Sequence, residues 1–186
     1  MMRVYKPIKI SEGFDLQNID CFTSLFSNEN DTINTESTKY ICVRYNPDVY
    51  NVNQVKVADY FSNNLFKPLT MTNYKFLFLL LEISSNKIFK FVNFEFKTDG
   101  EEAEREKTQV REMIEEGVKS TFEFLNEKGQ KISYIDINVF DRINTVRIYS
   151  SGNIAISNRF KEENYFILLN LIEFLFTGKG LIKDVE

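Results

Sequence analysis

The residues best suited to contact a ligand lie near the C-terminal end of the chain, in short runs that alternate polar and apolar side chains. The candidate binding residues there are Tyr134, Asn138, Arg147, Tyr149 and Asn153. Aromatic rings and a guanidinium stack on planar groups, and amides both donate and accept hydrogen bonds. Such a set is suited to binding a macromolecule, although half-exposed sheets carry the same residue types where they face only water.

Catalytic chemistry has few candidates in this composition. The chain has 186 residues and no histidine, which removes Ser-His-Asp and Cys-His catalysis. Cys21 and Cys42 are too few for a structural zinc site, which needs about four Cys or His ligands. Neither a GxGxxG nor a GxxxxGK[ST] motif occurs. We therefore expect a non-enzymatic protein that holds no metal and no cofactor.

Charge and hydropathy indicate an ordinary globular protein. The net charge is −4, so there is no general attraction to nucleic acid, although a local basic patch could supply one. The most apolar runs, Phe76–Leu81 and Tyr165–Phe176, are shorter than the roughly 18 to 20 residues of a membrane-spanning helix. The N-terminus has no apolar stretch of signal-peptide length. We therefore expect a cytoplasmic location and no membrane partner.

Hydrophobic periodicity predicts the elements that position these residues. Strands are predicted for Val4–Ile10, Tyr40–Tyr45, Phe76–Ile83, Lys87–Phe96, Ile132–Phe140, Asn144–Tyr149 and Asn153–Ser157. Helices are predicted for Glu101–Asn126 and for Lys161–Thr177, with Ser157 or Asn158 at the start of the second and Gly178 at its end. The polar segment Ser27–Lys39 predicts a surface loop, and Val52–Phe66 is ambiguous but is compatible with a strand followed by a short helix.

Two segments share a Ser-Ser pair. ISSNKIFKFVNF (Ile83–Phe94) aligns with YSSGNIAISNRF (Tyr149–Phe160) through Ser-Ser, one Ile and the closing Phe. The alignment predicts β-hairpins near 76–96 and 144–157, each followed by a helix. We therefore expect one α+β domain over residues 1–186, with an internal duplication into two pseudo-repeats as one alternative and chance similarity as the other.

The second segment also resembles a known family. IYSSGNIAIS (Ile148–Ser157) is similar to the hairpin of the TATA-box-binding proteins, in which an Ile-Phe-Ser-Ser-Gly-Lys run enters the last strand of each repeat before a long helix. The resemblance implies a curved antiparallel sheet of saddle topology with helices packed on one face. It also implies that Tyr149 takes the position of a phenylalanine that wedges between bases. Asn153 stands where that family has lysine.

The first hairpin predicts a different kind of surface. Its apolar face is formed by Leu79, Leu81, Ile83, Phe89 and Phe91. Such a face is either an interface with a partner or, if the N-terminal third of the chain covers it, plain core. The sequence therefore favours a binding module for a protein partner or a second copy of itself. The alternatives are a nucleic-acid-binding protein and a carrier of a hydrophobic ligand enclosed by the sheet and the helix Lys161–Thr177.

Overall fold

The computed structural model describes residues 2–12, 19–34, 39–63, 65–140 and 144–182, and over these ranges the protein is α+β. The strands are β1 (Met2–Ile10), β2 (Thr32–Asn34), β3 (Tyr40–Arg44), β4 (Phe66–Pro68), β5 (Phe89–Phe96), β6 (Ile132–Val139), β7 (Asn144–Tyr149) and β8 (Ile154–Ser157). The helices are α1 (Ile19–Thr23), α2 (Pro47–Ser62), α3 (Asn73–Ser84), α4 (Glu101–Glu116), α5 (Val118–Glu127), α6 (Asn158–Glu163) and α7 (Tyr165–Thr177). None of these described helices combines the length and apolarity that crossing a membrane requires.

The strands form one open antiparallel sheet in the order β2-β3-β1-β8-β7-β6-β5, and β4 pairs with β1 beside this path. The strand β1 holds the two ends of the chain together. It pairs with β8 through Met2–Tyr5, with β3 through Tyr5–Lys9 and with β4 through Ile8–Ile10. The predicted antiparallel α+β architecture is therefore confirmed at this level.

Pro7 lies inside β1 without breaking the sheet. In an antiparallel strand, the N–H and C=O of one residue point to the same neighbouring strand. The Pro7 carbonyl accepts from the Leu69 N–H at 2.9 Å. On this side of β1, the pairing with β8 reaches Tyr5 and the pairing with β4 starts at Ile8, which leaves a gap between them. The N–H that proline lacks would have faced this gap, so its absence costs no ladder hydrogen bond.

Helices cover both faces of the sheet, which corrects the expectation of helices on one face. One core contains Tyr5, Cys42 and the strand residues that face α3, α4, α5, α6 and α7. Successive strand residues point to opposite faces, and Ile8 and Val43 accordingly belong to a second core, with Phe22 of α1 and Val57 of α2. The helices α1 and α2 therefore cover the other face, over β3, β4 and the C-terminal half of β1.

The strand predicted for Phe76–Ile83 is wrong, because this segment belongs to α3. Thr72 caps the helix through its side chain, which accepts from the Lys75 N–H at 3.3 Å. The buried positions are Phe76, Leu77, Leu79, Leu80 and Ile83, which is a helical spacing. A continuous apolar run fits both periodicities, so the sequence alone did not separate them. Ser84 is the last residue of α3, and Ser85 is its C-cap. The hairpin predicted near 76–96 is therefore wrong, and the proposed pseudo-repeat lacks its first hairpin.

The two predicted C-terminal helices exist but are each divided in two. Gly117 separates α4 from α5 with a φ of 150°, a conformation that side chains with a Cβ rarely adopt. Asn164 separates α6 from α7. The predicted caps are confirmed, since the Ser157 hydroxyl accepts from the Phe160 N–H at 3.1 Å and Gly178 ends α7 with a φ of 69°. The ambiguous segment Val52–Phe66 contributes most of α2 and the first residue of β4.

The predicted loop Ser27–Lys39 contains a strand and an ionic cluster, while residues 35–38 lie outside the described ranges. Asp31 accepts from the Arg3 guanidinium at 3.0 Å and from the Tyr5 hydroxyl at 2.6 Å, and it pairs with Lys161 of α6. Burial alone would raise the pKa of Asp31, but the hydrogen bonds from Lys161, Tyr5 and Arg3 hold it below its ordinary value. The cluster thus ties β2 to β1 and α6.

The turn between β7 and β8 packs against the segment that follows β4. Gly152 has a φ of 80°, and a Cβ at this position would lie 1.9 Å from the Leu69 carbonyl oxygen. The Met71 N–H donates to the Ser150 carbonyl at 3.2 Å. Only glycine fits this close approach of two backbones, and the turn thereby closes the gap beside Pro7.

We expect Gly152→Ala to destabilise the protein by at least about 2 kcal/mol, since it adds a backbone clash to the cost of a left-handed conformation. The control is Gly129→Ala, where φ is 67° but no atom lies within 4 Å of the added Cβ. Urea unfolding of both variants measures the difference. Equal losses in the two variants would contradict the close approach to Leu69.

Candidate functional site

One half of one sheet face has no helix over it among the described residues. The register places Tyr134 of β6 opposite Tyr149 of β7, Asp136 opposite Arg147, and Asn138 opposite Thr145. The residues that alternate with them point to the other face and are buried in the core that contains Tyr5 and Cys42. They are Ile135, Ile137, Val139, Val146, Ile148, Ile154 and Ile156. The predicted alternation of these strands is therefore confirmed, and we call the exposed side the open face.

The open face continues across β8 onto β1. Arg147 pairs with Ala155, and Ala155 pairs with Val4, so the three residues lie side by side across the sheet. Lys6 follows Val4 on the same side of β1. Ile8 lies farther along the same side of β1, where α1 and α2 cover it. These helices therefore bound the open face at one end.

Arg147 is at the centre of the open face. Its Nε and Nη2 atoms donate to the two carboxylate oxygens of Asp136 at 2.8 and 2.9 Å. Its guanidinium carbon lies 4.0 Å from the centre of the Tyr134 ring, and the rings of Tyr134 and Tyr149 meet edge to face at 5.9 Å. The hydrogen bonds to Asp136 hold the pKa of Arg147 above its ordinary value. The cation and the two rings form one preorganised array.

This arrangement leaves the open face aromatic and polar with little net charge at its centre. Asp136 neutralises Arg147, so a phosphate group would have to compete with a carboxylate already in place. Asn138 is also engaged, because its Oδ1 accepts from the Thr145 hydroxyl at 2.8 Å. The four predicted residues Tyr134, Asn138, Arg147 and Tyr149 are brought together. Their side chains are each partly exposed.

Asn153 lies at the margin of this array, in the turn before β8. Its backbone carbonyl accepts from the Tyr149 N–H at 2.9 Å. Its side-chain Oδ1 is buried and has no hydrogen-bond partner in the part of the chain that the structure describes. The structure therefore places Asn153 next to the predicted set, but as a turn residue with a buried acceptor.

The sequence analysis missed Lys6 on this surface, and it also missed Lys90, Asn93 and Glu95 of β5, which the register places opposite Asn138, Asp136 and Tyr134. The Lys6 Nζ donates to the Ser151 carbonyl at 2.6 Å, and burial lowers the pKa of Lys6 from 10.5 to about 8. The free-energy cost of holding Lys6 charged is therefore present below about pH 8 and is relieved as the pH rises towards 10.5. Alternation within Val4–Ile10 could have placed Lys6 with Val4, but it could not have revealed that β1 pairs with β8.

The predicted apolar interface does not exist as one surface. Leu79 and Ile83 are buried in α3 and Phe89 is buried in β5, while Phe91 is partly exposed and packs against the core. Only Leu81 is well exposed, at 45%. Leu79, Ile83 and Phe89 are therefore core residues and not an interface. Leu79 and Ile83 lie on the buried side of α3, which packs against the sheet.

The described residues offer no metal centre, since they contain no group of three or more His, Cys, Asp or Glu side chains able to hold an ion. Both cysteines are free thiols, with Cys42 buried and Cys21 exposed. Burial raises the pKa of the Cys42 thiol, which disfavours the reactive thiolate. The chemistry of the open face is thus that of stacking and hydrogen bonding.

We expect Arg147→Ala to lower the free energy of unfolding by about 1–3 kcal/mol, because the mostly buried carboxylate of Asp136 loses its partner. The double variant Asp136→Asn with Arg147→Ala should lose less than the sum of the single variants. Arg159→Ala is the matched control, since the 2.8 Å pair of Arg159 and Glu163 is exposed on α6 and should contribute little. Additive losses in chemical denaturation would contradict the coupling of Arg147 and Asp136.

Comparison of the chain with protein-family models, with curated proteins and with solved structures finds no match. The resemblance of Ile148–Ser157 to the hairpin of the TATA-box-binding proteins stays a prediction. Function is therefore argued from the residues of the open face itself.

Proposed function

We propose that this chain is a non-enzymatic binding module that uses the open face of β6, β7, β8 and the N-terminal half of β1 to bind a protein partner. The observation that carries the proposal is the array of Tyr134, Arg147 and Tyr149, fixed by Asp136 at the surface of the sheet. A saddle topology like that of the TATA-box-binding proteins and a cytoplasmic location remain part of the proposal.

The composition of the array supports a protein partner. Tyrosine and arginine are enriched among the residues that dominate the binding energy of protein interfaces, whereas lysine and the acidic residues are depleted there. The bidentate contact with Asp136 already restricts Arg147, and each tyrosine has only two side-chain torsions. Binding therefore orders few new side-chain torsions, which lowers its entropic cost.

Lys6 adds a requirement on the partner. Among the described residues, its partly buried ammonium donates to the Ser151 carbonyl alone, and an ammonium has three donors. An acidic or carbonyl group on the partner, placed over the junction of β1 and β8, would satisfy the remaining donors and stabilise the charge. The partner surface should therefore combine an apolar or aromatic centre for Tyr134 and Tyr149 with a carboxylate near Lys6.

A nucleic acid is the second candidate, and the aromatic pair favours it. Bases stack on exposed tyrosines of a sheet, and arginine adds cation–π contacts. Two features weigh against it as the first choice: the net charge of −4 and the engagement of Arg147 by Asp136. A second copy of the chain is the remaining alternative for the protein partner.

The proposal is tested by placing a photo-crosslinking amino acid at Tyr149 and, as a control, at Val52 on α2, which is 85% exposed. Each variant of the chain is expressed in the organism whose genome encodes it, and the living cells are irradiated. We expect a discrete protein adduct from position 149 that is absent from position 52. Adding Tyr134→Ala should weaken it, since loss of a central aromatic contact costs about 2 kcal/mol, or roughly thirtyfold in affinity.

Two kinds of result would contradict the protein-partner proposal, and a third would identify the partner. The same adducts from both positions, or none from position 149, would remove the open face as a binding surface. An adduct that nuclease digests would replace the protein with a nucleic acid. An adduct with twice the mass of the chain would identify a second copy as the partner. Thermal unfolding of each variant shows that the fold persists.

A further inference from the structure

A groove with aromatic walls lies between α3 and the end of α7, on the side of the sheet opposite the open face. Its volume is about 340 Å³, at the small end of the range of about 300–1,000 Å³ that ligand sites occupy. Its lining includes Tyr74, Phe78 and Phe174, together with Lys75 and Lys179. The groove is thus a second concave surface, independent of the open face.

The aromatic walls of the groove form a row of nearly parallel rings. Tyr74 and Phe78 are one helical turn apart on α3, with centroids 6.4 Å apart and planes inclined by 6°. Phe78 and Phe174 of α7 are 5.9 Å apart with planes inclined by 8°. Tyr74 at the outer end of the row is 57% exposed. The row therefore runs from exposed Tyr74 to buried Phe174, and only its outer part is apolar surface in contact with water.

The end of α7 shapes the other wall. Gly178 terminates the helix, and a Cβ at this position would lie 3.4 Å from the Phe78 ring, so the backbone is in close contact with the aromatic row. The Thr177 hydroxyl accepts from the Lys179 N–H at 3.2 Å, which fixes the backbone of Lys179 at the rim. The helix end thus places a cation beside an apolar surface.

The charges of the groove have one sign. Lys75 and Lys179 are the charged residues among the described ones that line it. The Lys75 ammonium donates to the Thr70 carbonyl at 3.0 Å and has no carboxylate partner among the described side chains. Burial lowers the pKa of Lys75, as expected for a cation that lacks a counter-charge. An anionic group at this rim would gain a charge-assisted hydrogen bond.

We propose that this groove binds a small amphipathic anion, with an unbranched alkyl chain against Tyr74, Phe78 and Phe174 and its carboxylate at Lys75. The apolar rings favour a ligand with an alkyl chain, and the two lysines favour a negatively charged head group. The small volume selects a medium-length chain over a long one. The groove adds a ligand site to the chain and does not depend on what binds the open face.

The test is calorimetric titration of the full-length protein with octanoate and, as an uncharged match, octan-1-ol. The wild-type chain should bind octanoate at least about fivefold more tightly than the alcohol, because only the carboxylate pairs with Lys75. Equal affinities, tighter binding of the alcohol or no binding of either would overturn the proposal. This comparison needs no substitution and therefore does not depend on how any variant folds.

Substitutions locate the site. Lys75→Gln should reduce the preference for octanoate, because Lys179 alone remains at the rim, and should leave the affinity for octan-1-ol unchanged. Lys67→Gln on the exposed side of β4 should alter neither affinity. Phe78→Ala should weaken both ligands. Unchanged octanoate binding in Lys75→Gln would contradict the assignment. A dimer in light scattering that Tyr74→Glu dissociates, without octanoate binding, would assign the groove to a second copy of the chain and overturn the proposal.

Discussion

The pairing of β1 with three strands is the interaction on which the rest of the fold depends. Near its N-terminus β1 pairs with β8, and farther along it pairs with β3 on one side and β4 on the other. The ends of β8 and β4 leave a gap along β1, and the turn that contains Gly152 packs there against Leu69. Pro7 is tolerated in the middle of the sheet because it faces this gap. If β1 did not pair with β8, the N-terminal strands and the C-terminal hairpin would have no common sheet.

This junction also separates the surfaces to which we assign function. The helices α1 and α2 cover one face over β3, β4 and the C-terminal half of β1, and the same face is open over β6, β7 and β8. The other face is covered by the remaining helices, two of which form the aromatic groove. A macromolecule on the open face and a small anion in the groove would therefore not compete for the same residues.

The sequence predicts the C-terminal half of the sheet well, because apolar and polar residues alternate over Tyr134–Val139 and Thr145–Tyr149. Ile135 and Ile137 face the core, and Tyr134 and Arg147 face outward, as the period of two requires. Lys6 was missed because it joins this surface through a pairing between opposite ends of the chain, which local pattern does not encode. The helix α3 was missed because a fully apolar run has no periodicity to distinguish a strand from a helix. Asp31 was missed because its partners Arg3, Tyr5 and Lys161 lie 28, 26 and 130 residues away in the sequence.

The pairing of β1 with β8 is the central claim, and nuclear Overhauser contacts in the isotopically labelled chain test it most directly. We expect cross-strand backbone contacts between Val4 and Ala155, whose Cα atoms are partners in the sheet. Contacts between Asp136 and Arg147, partners in β6 and β7, provide the internal reference. Observation of both pairs would support one sheet with Lys6 at the edge of the open face. Observation of the Asp136 and Arg147 contacts without those of Val4 and Ala155 would contradict it.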